Sequence, residues 1–144
     1  MRFLVCDDDP TLLKLLTRFL EGAYRAEVQT ASDGKACLEL LETFPADLLI
    51  LDFMMPKMNG MQLLEALQAR AKAGKPKPKV LLYSAFDLRS QARSSGADGF
   101  LRKPSSVDTL KQELDRILGI ALPPKAPPAV KPPAGKPPVA PVKR

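Results

Sequence analysis

Residues 47 to 73 read DLLILDFMMPKMNGMQLLEALQARAKA, and this stretch decides the fold. The apolar run Asp47–Leu51 has the length and composition of a strand that is covered on both faces of a sheet. After a loop that starts at Asp52, three leucines recur at helical spacing over Met61–Ala73. A buried strand followed by an amphipathic helix is the repeating unit of a parallel sheet.

The same unit is repeated on both sides of this stretch. Further strands are predicted at Arg2–Cys6, Glu27–Thr30, Lys79–Tyr83 and Gly99–Leu101. Further helices are predicted at Thr11–Glu21, Gly34–Thr43, Leu88–Ser95 and Val107–Leu118. Because connections between parallel strands are right-handed, five such units predict an α/β fold with a doubly wound, five-stranded parallel sheet and five helices.

The ends and faces of some helices can also be predicted. Asp9 fits the N-cap of the first helix, and Ser105 or Ser106 is placed to cap the last one. The apolar stripe of the last helix predicts burial of Val107, Leu110, Leu114, Ile117 and Leu118. The fourth helix is short and polar, so we expect it to be the most mobile.

The formal charge of +6 lies mostly at the end of the chain. Residues 1–122 carry 17 basic and 16 acidic side chains, whereas residues 123–144 hold nine prolines, five basic residues and no acid. We therefore expect a folded domain over 1–122 and a disordered tail over 123–144. The tail is a solvated linker, docks a partner, or attracts nucleic acid loosely. It has no stacking aromatics or base-reading motif, so no specific nucleic-acid binding is expected.

The absence of histidine excludes several kinds of chemistry. Ser-His-Asp and Cys-His nucleophiles, His-ligated zinc and a histidine-kinase function are impossible for this chain. Cys6 and Cys37 have apolar neighbours and no C-x-x-C spacing, which predicts small buried residues in a reducing compartment. The run Phe3–Cys6 is too short for a signal peptide, and no apolar run could span a membrane. A cytoplasmic protein without membrane insertion is predicted.

Polar side chains follow four of the predicted strands. Asp7–Asp9 follow the first strand, Asp52 the third, Ser84 the fourth and Lys103 the fifth. Ligands of doubly wound sheets bind outside the carboxyl ends of the strands, so these groups are expected to meet at one edge. Clustered carboxylates repel each other unless a hard cation such as Mg²⁺ lies between them, and an Asp can accept a phosphoryl group covalently. Singly, Asp9 fits a helix cap, Ser84 a loop residue and Lys103 a solvated charge; jointly they predict a phosphoryl acceptor.

Four blocks of sequence carry a resemblance to a known family. The blocks are Leu4–Pro10, Asp52–Gly60, Leu82–Ala85 and Gly96–Pro104. Their order and spacing resemble the response-regulator receiver domain of two-component signalling. The resemblance spans residues 1 to about 120, and D-x-x-M-P-x-M-N-G is its most specific part. It implies the flavodoxin-like strand order 2-1-3-4-5.

The resemblance implies a role for each acidic residue. Asp52 would be the phosphoacceptor, which takes a phosphoryl group from a phosphohistidine of a partner histidine kinase or histidine phosphotransfer protein. Asp8, Asp52 and the backbone carbonyl of Met54 would bind Mg²⁺ directly, and Asp7 would act largely through water. Such a chain catalyses only its own phosphorylation and dephosphorylation, and it is not an enzyme in the usual sense.

The resemblance also implies a switch. Lys103 would pair with the phosphoryl group, Ser84 would hydrogen-bond to it, and Phe100 would rotate inward as Ser84 moves. The face of the fourth helix, fifth strand and fifth helix would then change shape for an unidentified downstream protein, unless phosphate is relayed onward. Phe100 stands where tyrosine is commoner, and the loop Ala73–Lys79 is unusually basic. No output domain is visible in the 144 residues, so a stand-alone receiver is expected.

Two other functions remain open. The D-x-D-x-T-L pattern of Asp7–Leu12 also resembles the first motif of haloacid-dehalogenase-type phosphatases. Asp7 would then be the nucleophile, and Ser84 and Lys103 would imitate two later motifs. Against this, the paired acids of the fourth motif and a cap segment are missing, and Asp52 would have no role. The remaining alternative is a receiver that docks partners without phosphorylation.

Overall fold

Five strands alternate with five helices in the computed structural model, which describes residues 1–55 and 58–120. The strands are β1 (Arg2–Cys6), β2 (Glu27–Ala31), β3 (Leu48–Leu51), β4 (Lys79–Ser84) and β5 (Gly99–Arg102). The helices are α1 (Pro10–Tyr24), α2 (Gly34–Thr43), α3 (Gly60–Lys72), α4 (Arg89–Ser94) and α5 (Val107–Leu118). The tail predicted over 123–144 lies outside the described residues.

All neighbouring strands pair in parallel, in the order β2-β1-β3-β4-β5. The doubly wound order predicted from the sequence is therefore confirmed. The apolar residues Phe3–Cys6 of β1 and Leu48–Leu51 of the central strand β3 are fully or almost fully buried. Their uninterrupted apolar composition follows from this position, because helices cover both faces of the sheet.

Two apolar layers hold the helices against the sheet. Alternate residues of each strand point to opposite faces, so Phe3 and Val5 pack with α1 and α5, whereas Leu4 and Cys6 pack with α2, α3 and α4. Each buried Leu side chain contributes about 1.5–3 kcal/mol to folding. The strands whose ends carry the polar residues of the carboxyl edge are therefore held in place by buried contacts on both faces of the sheet. No helix in the described part of the chain is long and apolar enough to cross a membrane.

The predicted cap of the first helix is confirmed, and the structure decides between the two predicted caps of the last helix. The side chain of Asp9 accepts from the backbone N–H of Thr11, 3.0 Å away, and caps α1 as predicted. Ser106 rather than Ser105 caps α5. The predicted burial of Val107 was wrong: this residue is 51% exposed, because it opens α5 ahead of the turns that pack on the sheet.

Candidate functional site

The carboxyl ends of four strands bring the predicted polar residues to one edge of the sheet. Asp7 directly follows β1, Asp52 follows β3, and Lys103 follows β5, while Ser84 is the last residue of β4. Backbone hydrogen bonds extend the ladder into this edge. The amide of Asp52 donates to the carbonyl of Cys6 at 2.9 Å, and the amide of Lys103 donates to that of Ser84 at 2.7 Å. The site therefore rests on sheet backbone rather than on free loops.

Three carboxylates form the centre of the site. Asp7, Asp8 and Asp52 each offer an oxygen, and these three atoms lie within 4.8 Å of one another. Asp7 and Asp52 are buried, whereas Asp8 is exposed at the mouth of the cluster. Hard oxygen donors at this separation are the donor set that Mg²⁺ prefers.

Lys103 provides the positive charge of the cluster. Its Nζ donates to Asp7 Oδ2 at 2.5 Å and lies 3.6 Å from Asp52 Oδ2. Burial by itself lowers the pKa of Lys103, but the hydrogen bond to Asp7 and the charges of Asp7 and Asp52 outweigh it and raise the pKa above its ordinary value. Lys103 is therefore a firmly charged ammonium between two carboxylates.

The single positive charge of Lys103 does not balance the negative charges of the three carboxylates. Burial raises the pKa of Asp52 above its ordinary value, and the negative charge of Asp7 raises it further. Lys103 and the backbone amide of Met54 lower it again, without cancelling the first two effects. Three carboxylates face one ammonium, so a divalent cation would relieve the remaining repulsion. The residues present thus fit a Mg²⁺ site.

Ser84 and Phe100 occupy the neighbouring strands β4 and β5. Ser84 is fully buried, and its hydroxyl oxygen accepts from the backbone N–H of Phe86 at 3.4 Å. Phe100 pairs with Leu82 and is half-buried against the layer that contains α4. The guanidinium of Arg89 lies 6.0 Å from the centre of its ring. Helix α4 has six residues, of which Ala92 is buried, and no side chain caps its start.

Gly60 packs closely on the backbone of the two residues that follow β3, a contact that the sequence analysis did not assign. A Cβ on Gly60 would lie 2.9 Å from the Asp52 carbonyl oxygen, and the amide of Gly60 donates to the carbonyl of Phe53 at 2.8 Å. The glycine that closes the D-x-x-M-P-x-M-N-G block was the available signal. Met54 is 54% exposed, and residues 56 and 57 lie outside the described chain.

Two further features of the site were beyond the sequence analysis. Nζ of Lys103 lies 5.5 Å from the centre of the Tyr83 ring, so Tyr83 forms one wall beside the lysine. The position of this tyrosine directly before Ser84, at the end of a strand, was the signal that could have identified it. The Lys103–Pro104 peptide bond is cis, and a sequence does not determine the isomer of an X-Pro bond.

The fold and the site together define a flavodoxin-like α/β domain with an acidic, lysine-containing centre at the carboxyl edge of its sheet. A family model described as the response regulator receiver domain matches residues 3–115. The chain belongs to this family, whose members act as phosphoryl acceptors in two-component signalling.

Individual relatives agree with this assignment. The chain is 32% identical over 120 residues to the chemotaxis protein CheY-3 of Vibrio cholerae, which covers 81% of this chain and 91% of the relative. It is 35% identical to part of the sensor histidine kinase GacS of Pseudomonas protegens, and the match covers 88% of this chain but only 14% of that kinase. The receiver domain of the Francisella response regulator 1452 superposes with a TM-score of 0.73 at 29% identity, over 82% of this chain and 96% of that one.

Proposed function

We propose that Asp52 accepts a phosphoryl group from a phosphohistidine of a partner histidine kinase or phosphotransfer protein, in a reaction that depends on Mg²⁺. The observation that carries the proposal is the cluster of Asp7, Asp8 and Asp52 with the ammonium of Lys103 between two of them. Membership of the receiver family supports the same role for Asp52.

In the proposed reaction an oxygen of the Asp52 carboxylate attacks the phosphorus atom. A P–O bond forms as the P–N bond of the phosphohistidine breaks, and the electron pair of that bond leaves with the imidazole of the partner. The ammonium of Lys103, 3.6 Å from Asp52, neutralises a phosphoryl oxygen as it arrives. Because β1 and β3 fix the backbone beneath Asp7 and Asp52, little reorganisation is needed at the moment of transfer.

Mg²⁺ would be held by Asp8, Asp52 and the carbonyl of Met54, with Asp7 acting largely through water. When bound, the ion supplies positive charge that the three carboxylates lack and that the phosphoryl oxygens need. The exposed position of Asp8 supports direct access of the ion from solvent. Asp7 positions Lys103 through the 2.5 Å bond.

The phosphorylated form would signal through a change in one protein face. Phosphorylation adds nearly two negative charges and several acceptor oxygens beside Lys103 and Ser84. The hydroxyl of Ser84 would turn to the phosphoryl group and draw the end of β4 inward, and the ring of Phe100 would follow. Helix α4, which has few buried side chains, would yield first. The face of α4, β5 and α5 is therefore proposed to bind an unidentified downstream protein.

We also propose that this exchange takes place in the cytoplasm. Cys6 and Cys37 are both buried as free thiols, which is typical of proteins of reducing compartments. The dehalogenase-type alternative is not proposed, because the chain belongs to the receiver family. Docking without phosphorylation is the outcome that the following experiment separates from the proposal.

The test is intact-mass analysis after incubation with acetyl phosphate and Mg²⁺. We expect one phosphoryl adduct on the wild-type chain, and none in Asp52→Asn or when a chelator removes the metal. Asp9→Asn is the matched control, because it makes the same change at the same edge in a residue that serves as a helix cap. This variant should be labelled like the wild type.

Two outcomes would contradict the proposal. A wild-type chain that stays unlabelled would favour a receiver that docks without phosphorylation. An adduct that survives in Asp52→Asn and is lost in Asp7→Asn would move the nucleophile to Asp7.

A further inference from the structure

Tyr83 borders the phosphoryl-acceptor site, and the proposed reaction gives it no role. This residue is 6% exposed and directly precedes Ser84 in β4. It belongs to the apolar layer that contains α1 and α5. The centre of its ring lies 5.5 Å from Nζ of Lys103, within the distance at which an aromatic face attracts an ammonium group. Tyr83 is therefore a buried aromatic contact of the one cation in the acidic cluster.

The ring of Tyr83 is itself held on several sides. Its backbone pairs with Leu101 in β5, and Leu110 and Leu114 of α5 belong to the same buried layer. The hydroxyl of Ser105 donates to the hydroxyl of Tyr83 at 3.3 Å, which holds the far end of the side chain. Because a ring packed in this way keeps its rotamer, it offers the ammonium a contact of constant position.

Lys103 needs such a contact because its side chain is a long, flexible stem. The amide of Lys103 donates to the carbonyl of Ser84 at 2.7 Å, so its backbone is fixed, but 21% of its side chain is exposed. Two consecutive residues of β4 thus hold the two ends of this lysine, with Ser84 at the backbone and Tyr83 at the ammonium.

The other contacts of the ammonium are carboxylates. Nζ donates to Asp7 at 2.5 Å and lies 3.6 Å from Asp52, and an arriving phosphoryl group competes with both for the positive charge. A neutral ring attracts the ammonium without adding a negative charge that would compete. It also keeps water from one side of Nζ, so the attraction to a phosphoryl oxygen is less screened. The ring is therefore a contact that can persist unchanged during phosphoryl transfer.

We propose that Tyr83 is a positioning residue for phosphoryl transfer to Asp52, because its ring holds the ammonium of Lys103 where that group meets an incoming phosphoryl oxygen. The inference rests on the proposed function of Asp52. Tyr83 acts through Lys103 and does not itself contact the phosphoryl group. Two consequences follow: the ring matters more than the hydroxyl, and the effect of the ring disappears when the ammonium is absent.

The test is timed intact-mass analysis of the full chain with acetyl phosphate and Mg²⁺. Tyr83→Leu removes the ring and keeps an apolar side chain, and it should slow labelling by about threefold to tenfold. Tyr83→Met, a second variant without a ring, should do the same. The conservative variant Tyr83→Phe keeps the ring and loses the bond to Ser105, and it should restore the rate to within about twofold of the wild type.

A double-mutant cycle separates positioning from a general effect on the fold. In the background of Lys103→Gln no ammonium remains for the ring to hold, so adding Tyr83→Leu should change the labelling rate by less than about twofold. A tyrosine that only supports the sheet would slow labelling to the same extent in both backgrounds.

Tyr24→Leu is the matched control. The ring of Tyr24 also lies close to a lysine, with its centre 5.4 Å from Nζ of Lys111. Tyr24 ends α1, about 20 Å along the helix from the end that lies near the acidic cluster. This variant should be labelled like the wild type, and circular dichroism at the labelling temperature checks that each variant is folded.

Three results would overturn the inference while wild-type labelling stays normal. They are unchanged labelling in the folded Leu or Met variant, equal slowing by Tyr83→Leu with and without Lys103, and a Tyr83→Phe chain as slow as Tyr83→Leu. A wild-type chain that takes up no phosphoryl group would instead overturn the proposed function of Asp52, and this inference with it.

Discussion

Replacement of glycine by alanine is expected to have opposite effects on stability at Gly60 and at Gly22. Gly60 is the first residue of α3, and a Cβ on it would lie 2.9 Å from the carbonyl oxygen of Asp52 and 2.9 Å from Cα of Phe53. Both contacts are backbone atoms, so no side-chain rotation can make room. Gly22 lies inside α1, and a Cβ there would meet nothing within 4 Å.

The expected sizes follow from these distances. Gly22→Ala reduces the conformational freedom of the unfolded chain and should raise the free energy of unfolding by about 0.5–1 kcal/mol. Gly60→Ala overpacks a buried contact, which costs about 1–3 kcal/mol. The start of α3 is held in place because Leu63 and Leu64 are buried against the sheet and the amide of Gly60 donates to the carbonyl of Phe53 at 2.8 Å. The free energies of unfolding of the two variants should therefore differ by about 1.5–4 kcal/mol.

Urea unfolding followed by circular dichroism measures this difference, provided that the slopes of the transitions agree. Labelling by acetyl phosphate should be slower in Gly60→Ala, since the backbone of Asp52 must shift, and unchanged in Gly22→Ala. A Gly60→Ala chain as stable as the wild type, with normal labelling, would refute the claim that the close approach of α3 to Asp52 requires a glycine here.

Three further predictions concern other contacts. Burial, and then the hydrogen bond to Asp115 at 2.7 Å, raise the pKa of Tyr24, so the wild-type chain should lose stability as the pH rises above about 10, the ordinary pKa of tyrosine. Urea unfolding at several pH values should show a weaker loss in Tyr24→Phe. Lys103→Gln should slow labelling by acetyl phosphate by about 10²-fold, as judged by timed intact-mass analysis, because a charged group beside the transferred phosphoryl is removed. Ser106→Ala should lower the free energy of unfolding by about 1 kcal/mol and Ser105→Ala by less, because Ser106 alone of the two caps α5.

The sequence was most informative where one physical effect dominates. Apolar runs such as Phe3–Cys6 and Leu48–Leu51 have the length and composition of strands covered on both faces, and five predicted strands with intervening helices leave few topologies. The same topology is enough to predict that Asp7 and Asp52 lie at one edge of the sheet, because each directly follows a parallel strand. Asp9 could be identified as a cap because it stands directly before a proline at a helix start.

Other features depend on packing that no local pattern encodes. Val107 continues the apolar stripe of α5, yet it is exposed, because a stripe does not reveal where a helix first meets the sheet. The close approach of Gly60 to Asp52 joins two parts of the loop whose separation is fixed only by the folded chain. Lys103 has a long flexible side chain, so its preference for Asp7 over Asp52 could not be predicted.

That preference bears on which of the two buried carboxylates is the better nucleophile. Asp7 is engaged on both oxygens: Oδ1 accepts from the amide of Asp9 at 2.9 Å, and Oδ2 accepts from Lys103 at 2.5 Å. An attack by Asp7 on phosphorus would have to give up one of these bonds. Oδ2 of Asp52 lies 3.6 Å from Nζ of Lys103, which is beyond ordinary hydrogen-bond length. The raised pKa of Asp52 also makes its carboxylate more basic than that of an ordinary aspartate. The contacts therefore favour Asp7 as the group that positions Lys103, and Asp52 as the group that attacks.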